Sequence, residues 1–367
     1  MCQFALRYFG RIICIAEHNV SSSYADIKNP QGLGHIRQGG LRYCLRTSFC
    51  DVDDFCEAVR DWSLEFQQLD RGPFSADLLL AGTDTTQIGR TRLSRQFEQH
   101  GATPDGMRTF GLLEANSTGV NWFRRDASKR DLMSFPSERS FEALSPPGFD
   151  VYTLAISEQA LCRAAQELGL EAAMDRINAT NQLFRGDDEA MRELRWMLRK
   201  LSQAFSQREP RFSGEWASLA LNLLLPELLL KVIASAADHE IPTPPMRMRD
   251  RAVKRAIEFL TFHPTSIVST QELCHAAGAS SRTLEYAFHE RFNVSPKAYM
   301  QAKRFNSVRQ DLRAADPINS NVWEIAAEWD FWHMGQFARD YRSFFNELPS
   351  ATLAKPAGRL SAVNSAS

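Results

Sequence analysis

The sequence predicts an α+β chain in which a small N-terminal β-barrel with a helical extension is joined to an all-α C-terminal module. Three observations carry this. Short alternating runs broken by turn residues fill the region from Phe66 to Ile156, as the many short strands of a small β-barrel or sandwich would. Helical periodicity replaces alternation after Ser157. Beyond a cluster of prolines at Pro242, Pro244 and Pro245, the chain contains one internal repeat.

At 367 residues, and roughly 150 per domain, the chain has room for two domains and their connection. With 44% hydrophobic and 24% charged residues it is neither disordered, collagen-like nor disulfide-dense. Seven cysteines, at positions 2, 14, 44, 50, 56, 162 and 274, include no Cys-x-x-Cys pair and read as reduced thiols of a cytoplasmic protein. The even spacing of Cys44, Cys50 and Cys56 does not bring thiolates together for tetrahedral zinc. Near the N-terminus, Ile12 to Ile15 is a very short apolar run between Arg11 and Glu17, with no cleavage site after it, so no signal peptide is expected.

Residues 1–45 have several turn clusters and little periodicity, and form a poorly specified lead-in. Residues 46–240 form the first domain. Its strands are expected at Ala76–Leu80, Ile88–Phe97, Met107–Leu113, Val120–Arg124 and Val151–Ile156, between turn signals such as Pro104-Asp-Gly106 and Pro146-Pro-Gly148. The helical extension begins with a stripe of Leu161, Ala164, Ala165 and Leu168 that stops at Gly169. A second stripe is Met191, Leu194, Met197, Leu198 and Leu201. The third helix, Trp216–Ala237, is apolar nearly all round, but Asn222, Pro226, Glu227 and Lys231 interrupt it. It predicts a helix kinked near Pro226 and buried in its own domain or against a second copy, not a membrane span.

Residues 241–250 read as a linker, because three prolines within four residues cannot continue a helix. The charge divides there. Residues 246–367 carry 16 Lys/Arg against 12 Asp/Glu, or +4, and residues 1–245 carry 27 against 32, or −5. The total of −1 therefore does not exclude a polyanion partner for the C-terminal part.

The repeat lies in residues 251–354, ahead of a tail at 355–367. Ser269-Thr-Gln-Glu272 and Asn321-Val-Trp-Glu324 each read as a helix N-cap with Glu at the third helical position. Leu273 matches Ile325, and Gly278 in the first turn matches Asp330 in the second, which is one residue longer. Leu284, Phe288, Phe292 and Pro296 then match Phe337, Tyr341, Phe345 and Pro349. A short helix, a turn with a residue suited to positive φ, and a longer helix with apolar four-residue steps is the pattern of a helix-turn-helix. The longer helices leave Ser281, Arg282, Glu285 and Tyr286 outward in the first copy, and His333, Met334, Gly335, Ala338 and Arg339 in the second. Between the copies, Ser295-Pro296 opens a further helix whose Lys303, Arg304, Arg309 and Arg313 suit contact with phosphates.

These residues resemble the AraC/XylS transcription regulators, most specifically from Ile325-Ala326 through Phe331-Trp332-His333-Met334-Gly335-Gln336-Phe337-Ala338-Arg339 to Leu348-Pro349-Ser350, and are nearest the XylS-like branch. Two glycines usual in that family are Asp330 and Asn346 here, and both substitutes tolerate a left-handed backbone. The resemblance implies two recognition helices in successive major grooves of double-stranded DNA, about 34 Å apart. It assigns DNA contact to Ser281, Arg282, Glu285, Tyr286, His333, Met334, Gly335 and Arg339, with Lys303 and Arg304 on phosphates. Arg339 is the candidate for bidentate guanine reading. RNA polymerase follows as a partner from the resemblance, and a homodimer from the helical extension.

Gln68-Leu69-Asp70-Arg71-Gly72-Pro73-Phe74 and Pro146-Pro147-Gly148-Phe149 resemble, more faintly, the sensor domains attached to such regulators, which implies a cupin-like barrel holding a small-molecule effector. No ligand residue is assigned: Arg92, Arg95, Phe97 and Trp122 suit a cavity, but equally a surface charge or an aromatic core. A metal-dependent barrel enzyme needs a histidine and carboxylate cluster, whereas residues 1–245 hold only His18, His35, His100 and His239, with no His-x-His pair. Gly-x-Ser-x-Gly, His-Glu-x-x-His and phosphate-loop motifs are absent, Gly32-Leu-Gly34 lacks a third glycine, and no cysteine has the Pro-Cys-His setting of DNA alkyl-transfer enzymes. The expectation is a non-enzymatic, effector-responsive activator without cofactor or metal. The competing reading is a ligand-independent architectural or repressor protein, and a barrel enzyme fused to a DNA-binding module comes third.

Overall fold

The computed structural model describes residues 41–59, 62–137, 140–179, 183–207, 215–236, 247–263 and 268–355. Most of the 1–45 lead-in, the linker prolines and the tail from residue 356 onward lie outside the described residues. The N-terminal domain contains β1 (Tyr43–Phe49), α1 (Val52–Ala58), β2 (Ser63–Gln68), β3 (Ala76–Gly82), β4 (Thr86–Leu93), β5 (Phe97–Ala102) and β6 (Met107–Leu113). It continues with β7 (Val120–Trp122), β8 (Arg125–Ala127), β9 (Leu132–Ser134), β10 (Phe141–Ser145), β11 (Phe149–Ser157), α2 (Glu158–Leu168), α3 (Glu171–Asn178) and β12 (Leu183–Phe184). The helices α4 (Asp188–Gln207), α5 (Glu215–Leu219) and α6 (Leu225–Ser235) complete it.

The domain is sheet-rich as expected, but its strands do not close into a barrel. They lie in a seven-stranded sheet ordered β1-β3-β4-β11-β6-β9-β12 and a five-stranded sheet ordered β2-β5-β10-β7-β8. Along β3, Leu78 faces the space between the sheets, while Leu79 and Ala81 face the helices on the other side. The larger sheet is therefore a middle layer buried on both faces. The space between the sheets is filled by rings: Phe97 meets Phe66 at 5.6 Å and Phe74 at 5.5 Å, and Trp122 meets Phe135 at 4.6 Å. Phe97 and Trp122 are therefore core aromatics. Arg92 instead pairs with Asp150 at 3.1 Å, and Arg95 with Asp70 at 3.3 Å.

Sequence periodicity located β3, β6 and β11 but not every boundary. The Ile88–Phe97 run divides between β4 and β5, and Val120–Arg124 stops at Trp122 because Phe123 and Arg124, at φ of 47° and 65°, turn the chain into β8. Residues 43–45, assigned to the lead-in, already belong to β1, where Tyr43 pairs with Gly82. The partly exposed faces of β1 and β2 carry too many polar residues to show an apolar alternation.

The helices cover the outer face of the larger sheet. Ser157 caps α2 and Gly169, at φ 65°, ends it. The Trp216–Ser235 helix has the length and apolar composition of a membrane span, with a mean hydropathy of 1.7. In the fold Ala217, Ala220, Leu221, Leu225, Leu229, Leu230, Val232 and Ile233 are all fully buried in the domain core. A π-helical turn at Ala220–Leu224 precedes Pro226, which has no N–H for the carbonyl four residues earlier, so the irregularity falls where the proline predicts it. Free thiols remain at Cys50, Cys56, Cys162 and Cys274. Burial, aided by Asp53 and Asp51, pushes the Cys56 thiol up to about 12, so it is unreactive at neutral pH.

Glu114 sits at the meeting of β6 and α4, buried at 6% exposure. Burial raises its pKa, but hydrogen bonds from Arg199, Tyr152 and the Ala115 N–H outweigh that and hold it at about 2, below its ordinary 4.5. A carboxylate lowered on folding stabilises the fold above its unfolded pKa and loses that contribution as the pH falls through the folded one. The N-terminal domain is therefore expected to lose stability progressively from about pH 4.5 to about pH 2, and Glu114→Gln to flatten that part of the profile. Chemical denaturation as a function of pH measures it; an equally steep profile for the variant rules Glu114 out as the source.

The C-terminal module comprises α7 (Met248–Phe262), α8 (Thr270–Ala277), α9 (Ser281–Phe292), α10 (Pro296–Ala314), α11 (Val322–Glu328), α12 (Met334–Phe345) and α13 (Pro349–Ala354). Helix α7 starts three residues before the expected boundary at 251. Arg247 is its N-cap, and the Asp250 carboxylate accepts the Arg247 N–H at 3.0 Å. The long α10 is the axis of the module, with Tyr299, Ala302, Phe305, Val308 and Leu312 fully buried between the two helix pairs.

Candidate nucleic-acid interface

Each helix pair is organised by its caps. In the first, Ser269 accepts from the Glu272 N–H at 3.1 Å while the Glu272 carboxylate accepts from the Ser269 N–H at 2.8 Å. Gly278, at φ 62°, ends α8, and Ser280 caps α9. In the second, Asn321 stands at the N-cap without a side-chain cap bond, so the expected match with Ser269 holds in position only. Asp330 and Asn346 adopt the left-handed region at φ 64° and 61°, as the two replaced glycines require. Leu284, Phe288, Phe292, Phe337, Tyr341 and Phe345 face the core as the repeat predicts.

The outward faces are then set by helical geometry. Ser281, Arg282, Glu285 and Tyr286 are exposed on the first half of α9, and His333, Gly335 and Arg339 at or near the start of α12. Met334 is half-buried against the module's core. Arg339 donates to the side-chain Oε1 of Gln336 at 2.8 Å, which orients its guanidinium along the helix face. A Cβ at Gly335 would meet nothing within 4 Å, so the space outside this position is open.

Sequence reasoning missed one contributor. The guanidinium carbons of Arg282 and Arg249 lie 5.7 and 5.9 Å from the centroid of the Tyr286 ring, bringing α7 to the exposed face of α9. Arg249 lies next to the proline-rich stretch, and no helical stripe connected it with Tyr286. Part of this charge is balanced locally, with Glu290 at 3.4 Å from Arg249 and Glu285 at 3.4 Å from His289.

The basic face expected on α10 is used differently. Arg309, 5% exposed, donates to Asp51 at 2.9 Å and Asp53 at 3.1 Å of the N-terminal domain, and to Glu347 at 3.5 Å. Arg313 pairs with Asp53 at 3.4 Å, and Lys355 bridges Asp51 and Glu347. Arg309 and Arg313 are thus domain-docking residues and not phosphate contacts in this arrangement. Burial alone would lower the Arg309 pKa, but Asp53, Asp51 and Glu347 raise it; burial likewise works against ionised Asp51, yet Arg309 and Lys355 hold that carboxyl well below its usual range. Lys303 is half-buried with its ammonium 5.8 Å from the Tyr299 ring, and Arg304 lies 4.7 Å from the Phe331 ring and 3.7 Å from Asp330.

The same seam contains neutral bonds. The Asn306 side chain accepts the Gln68 N–H at 3.1 Å and donates to the Gln68 carbonyl at 2.9 Å. Gln68 donates its own amide to the Phe344 carbonyl at 3.1 Å, Gln96 to the Phe292 carbonyl at 2.6 Å, and Tyr299 its hydroxyl to Glu98 at 2.8 Å. The N-terminal domain therefore grips the C-terminal ends of α9 and α12 together, while the starts of both helices stay exposed. Among the described residues no group of three or more His, Cys, Asp or Glu could hold a metal ion.

Residues 273–355 match a family described as "Helix-turn-helix domain". The chain is 29% identical over 130 residues to the "Probable thc operon regulatory protein" of Rhodococcus erythropolis, covering 35% of this chain and 39% of that one. It is 30% identical over 125 residues to the "XylDLEGF operon transcriptional activator" of Pseudomonas putida, covering 34% and 38%. The chain thus spans less than two-fifths of the length of these relatives. Its likeness to the solved structure of ToxT from Vibrio cholerae covers 75% of this chain and all of that one, at 14% identity and a TM-score of 0.27, too loose to argue from. The duplicated helix-turn-helix geometry and these matches agree, and the C-terminal module belongs to the AraC/XylS family of transcription-regulator domains.

Proposed function

We propose that the protein is a sequence-specific DNA-binding transcription regulator. The observation that carries this is the pair of exposed helix starts, Ser281–Tyr286 and His333–Arg339, held in one rigid module by α10. Two such helices read adjacent stretches of major groove. Arg339 is the base reader, because its guanidinium fork matches the two acceptors of guanine. Arg282, Glu285 and Tyr286 serve the first helix with Ser281, and His333, Met334 and Gly335 the second. Lys303 and Arg304 reach phosphates once the neighbouring seam relaxes.

Arg339→Ala is expected to weaken binding to a selected operator by about 1–3 kcal/mol and to relax preference at one base pair. Titrating the variant against operators changed at single positions checks this; equal weakening on every sequence would make Arg339 a phosphate contact.

The regulator reading goes further. Activation, as in the printed name of the Pseudomonas relative, implies RNA polymerase as a partner and action in the cytoplasm. An effector would act through the seam, since any ligand preferring one docking of the domains shifts how the two reading helices are presented. A second copy would pair through the helical extension, where Trp196 and Leu223 are 44% and 56% exposed. Thermal-shift screening of the full chain with small organic acids tests the effector, and sedimentation tests pairing. The ligand-independent architectural reading gains support if the protein binds its selected DNA less than about a thousandfold over competitor.

A further inference from the structure

The second helix-turn-helix exposes an aromatic residue that belongs neither to its core nor to the expected reading set. Trp332 lies one residue before the N-cap of α12 and is 70% exposed, although an indole is among the side chains that gain most from burial. It is nevertheless oriented: its Nε1–H donates to Asp330 Oδ1 at 2.6 Å. The other Asp330 oxygen lies 3.7 Å from Arg304, so the carboxylate is itself anchored to α10. Asp330 holds this place at φ 64°, where glycine would fit without strain. An aspartate there carries backbone strain and returns a fixed indole.

Of the neighbouring reading positions only His333, the N-cap, carries hydrogen-bonding side-chain atoms. Met334 is apolar, and Gly335 has no side chain and open space outside it, where a Cβ would touch nothing within 4 Å. The first outward hydrogen-bonding groups along α12 are Gln336 and Arg339, which bond to each other. An apolar surface near a position without a side chain matches one feature of the major groove, the C5-methyl of thymine. We infer that Trp332, positioned by Asp330, reads a thymine methyl at the edge of the second half-site, with the missing side chain at Gly335 leaving room for the base. This rests on the DNA-reading function proposed above and names a specificity determinant within it.

The test starts from duplexes selected out of a random pool by the full-length protein, in which each thymine is then replaced singly by deoxyuracil. At one edge thymine, loss of the methyl is expected to weaken wild-type binding about fourfold, the value of one buried methyl-sized group. Trp332→Ala should bind the two duplexes equally at that position, while Trp332→Phe, which keeps an aromatic face, retains part of the ratio. Asp330→Gly should leave the thermal midpoint unchanged or higher and still reduce the ratio, an outcome that lost folding does not produce. If Trp332→Ala keeps the wild-type ratio at every thymine, the inference is overturned while the regulator reading stands. If the wild-type protein enriches no sequence, both fall.

Discussion

Arg309→Ala is expected to uncouple the two domains at a cost of about 3–5 kcal/mol, the range for removing one partner from a buried ion pair. The guanidinium is 5% exposed and faces Asp51, Asp53 and Glu347 at once, with the Phe345 ring 5.0 Å away. Without it these carboxylates lose their central counter-charge, and Lys355 and Arg313 reach only some of them. Tryptophans report on both sides: Trp62 and Trp122 lie in the N-terminal domain, and Trp323, Trp329 and Trp332 in the C-terminal module. Denaturant titration should show one cooperative transition for the wild type and two for the variant, because a multidomain chain is two-state only while its domains are coupled. A single transition with an unmoved midpoint would mean that the seam contributes no coupling. Arg309→Lys, which keeps the charge but not the fork, should recover part of the loss.

Phe305→Ala is expected to cost the C-terminal module about 3–5 kcal/mol, the usual range for a buried aromatic cut to alanine. Phe305 is fully buried on α10 and stacks on Phe331 at 5.2 Å with an interplanar angle of 1°. Its ring also meets Phe344 at 5.3 Å, Tyr341 at 6.2 Å and Phe337 at 6.3 Å. These rings are the hub on which α12 sits, so the cavity loosens the second helix-turn-helix while the first keeps its own core around Phe288 and Phe292. On selected DNA the variant should lose contacts in the half-site of α12 and keep those of α9, as hydroxyl-radical footprinting reads. Uniform loss across both half-sites, or an unchanged melting midpoint, would refute this division of the module.

The exposed faces of the two longer helices were legible for a local reason. Caps, turns and four-residue apolar steps are encoded within a few residues, so Ser269, Gly278, Ser280, Ser295 and Asn346 mark where helices begin and end. Once those ends are known, the outward positions follow from 3.6 residues per turn. The N-terminal strands were legible as strands, but not their assembly: an apolar strand such as β3 or β6 shows that it is buried and does not say which strands it joins, and the described strands lie in two sheets.

The basic residues of α10 mark the same limit. Lys303, Arg304, Arg309 and Arg313 read alike in sequence, and the net charge of +4 for residues 246–367 invited a common role on phosphates. Asp51 and Asp53 lie some 250 residues earlier, and only folding brings their charge to Arg309. Asp330 likewise reads as a substitute glycine until the indole of Trp332 is seen bonded to it.

The sequence by itself determined the duplicated helix-turn-helix, its turns and its exposed faces, because those depend on contacts between residues near one another in the chain. Only the tertiary structure decided that the N-terminal strands form two open sheets around a solid aromatic core, and that two arginines of the axial helix dock the domains. Both depend on which distant surfaces meet, and a charge or an apolar face carries no record of its partner until the chain has folded.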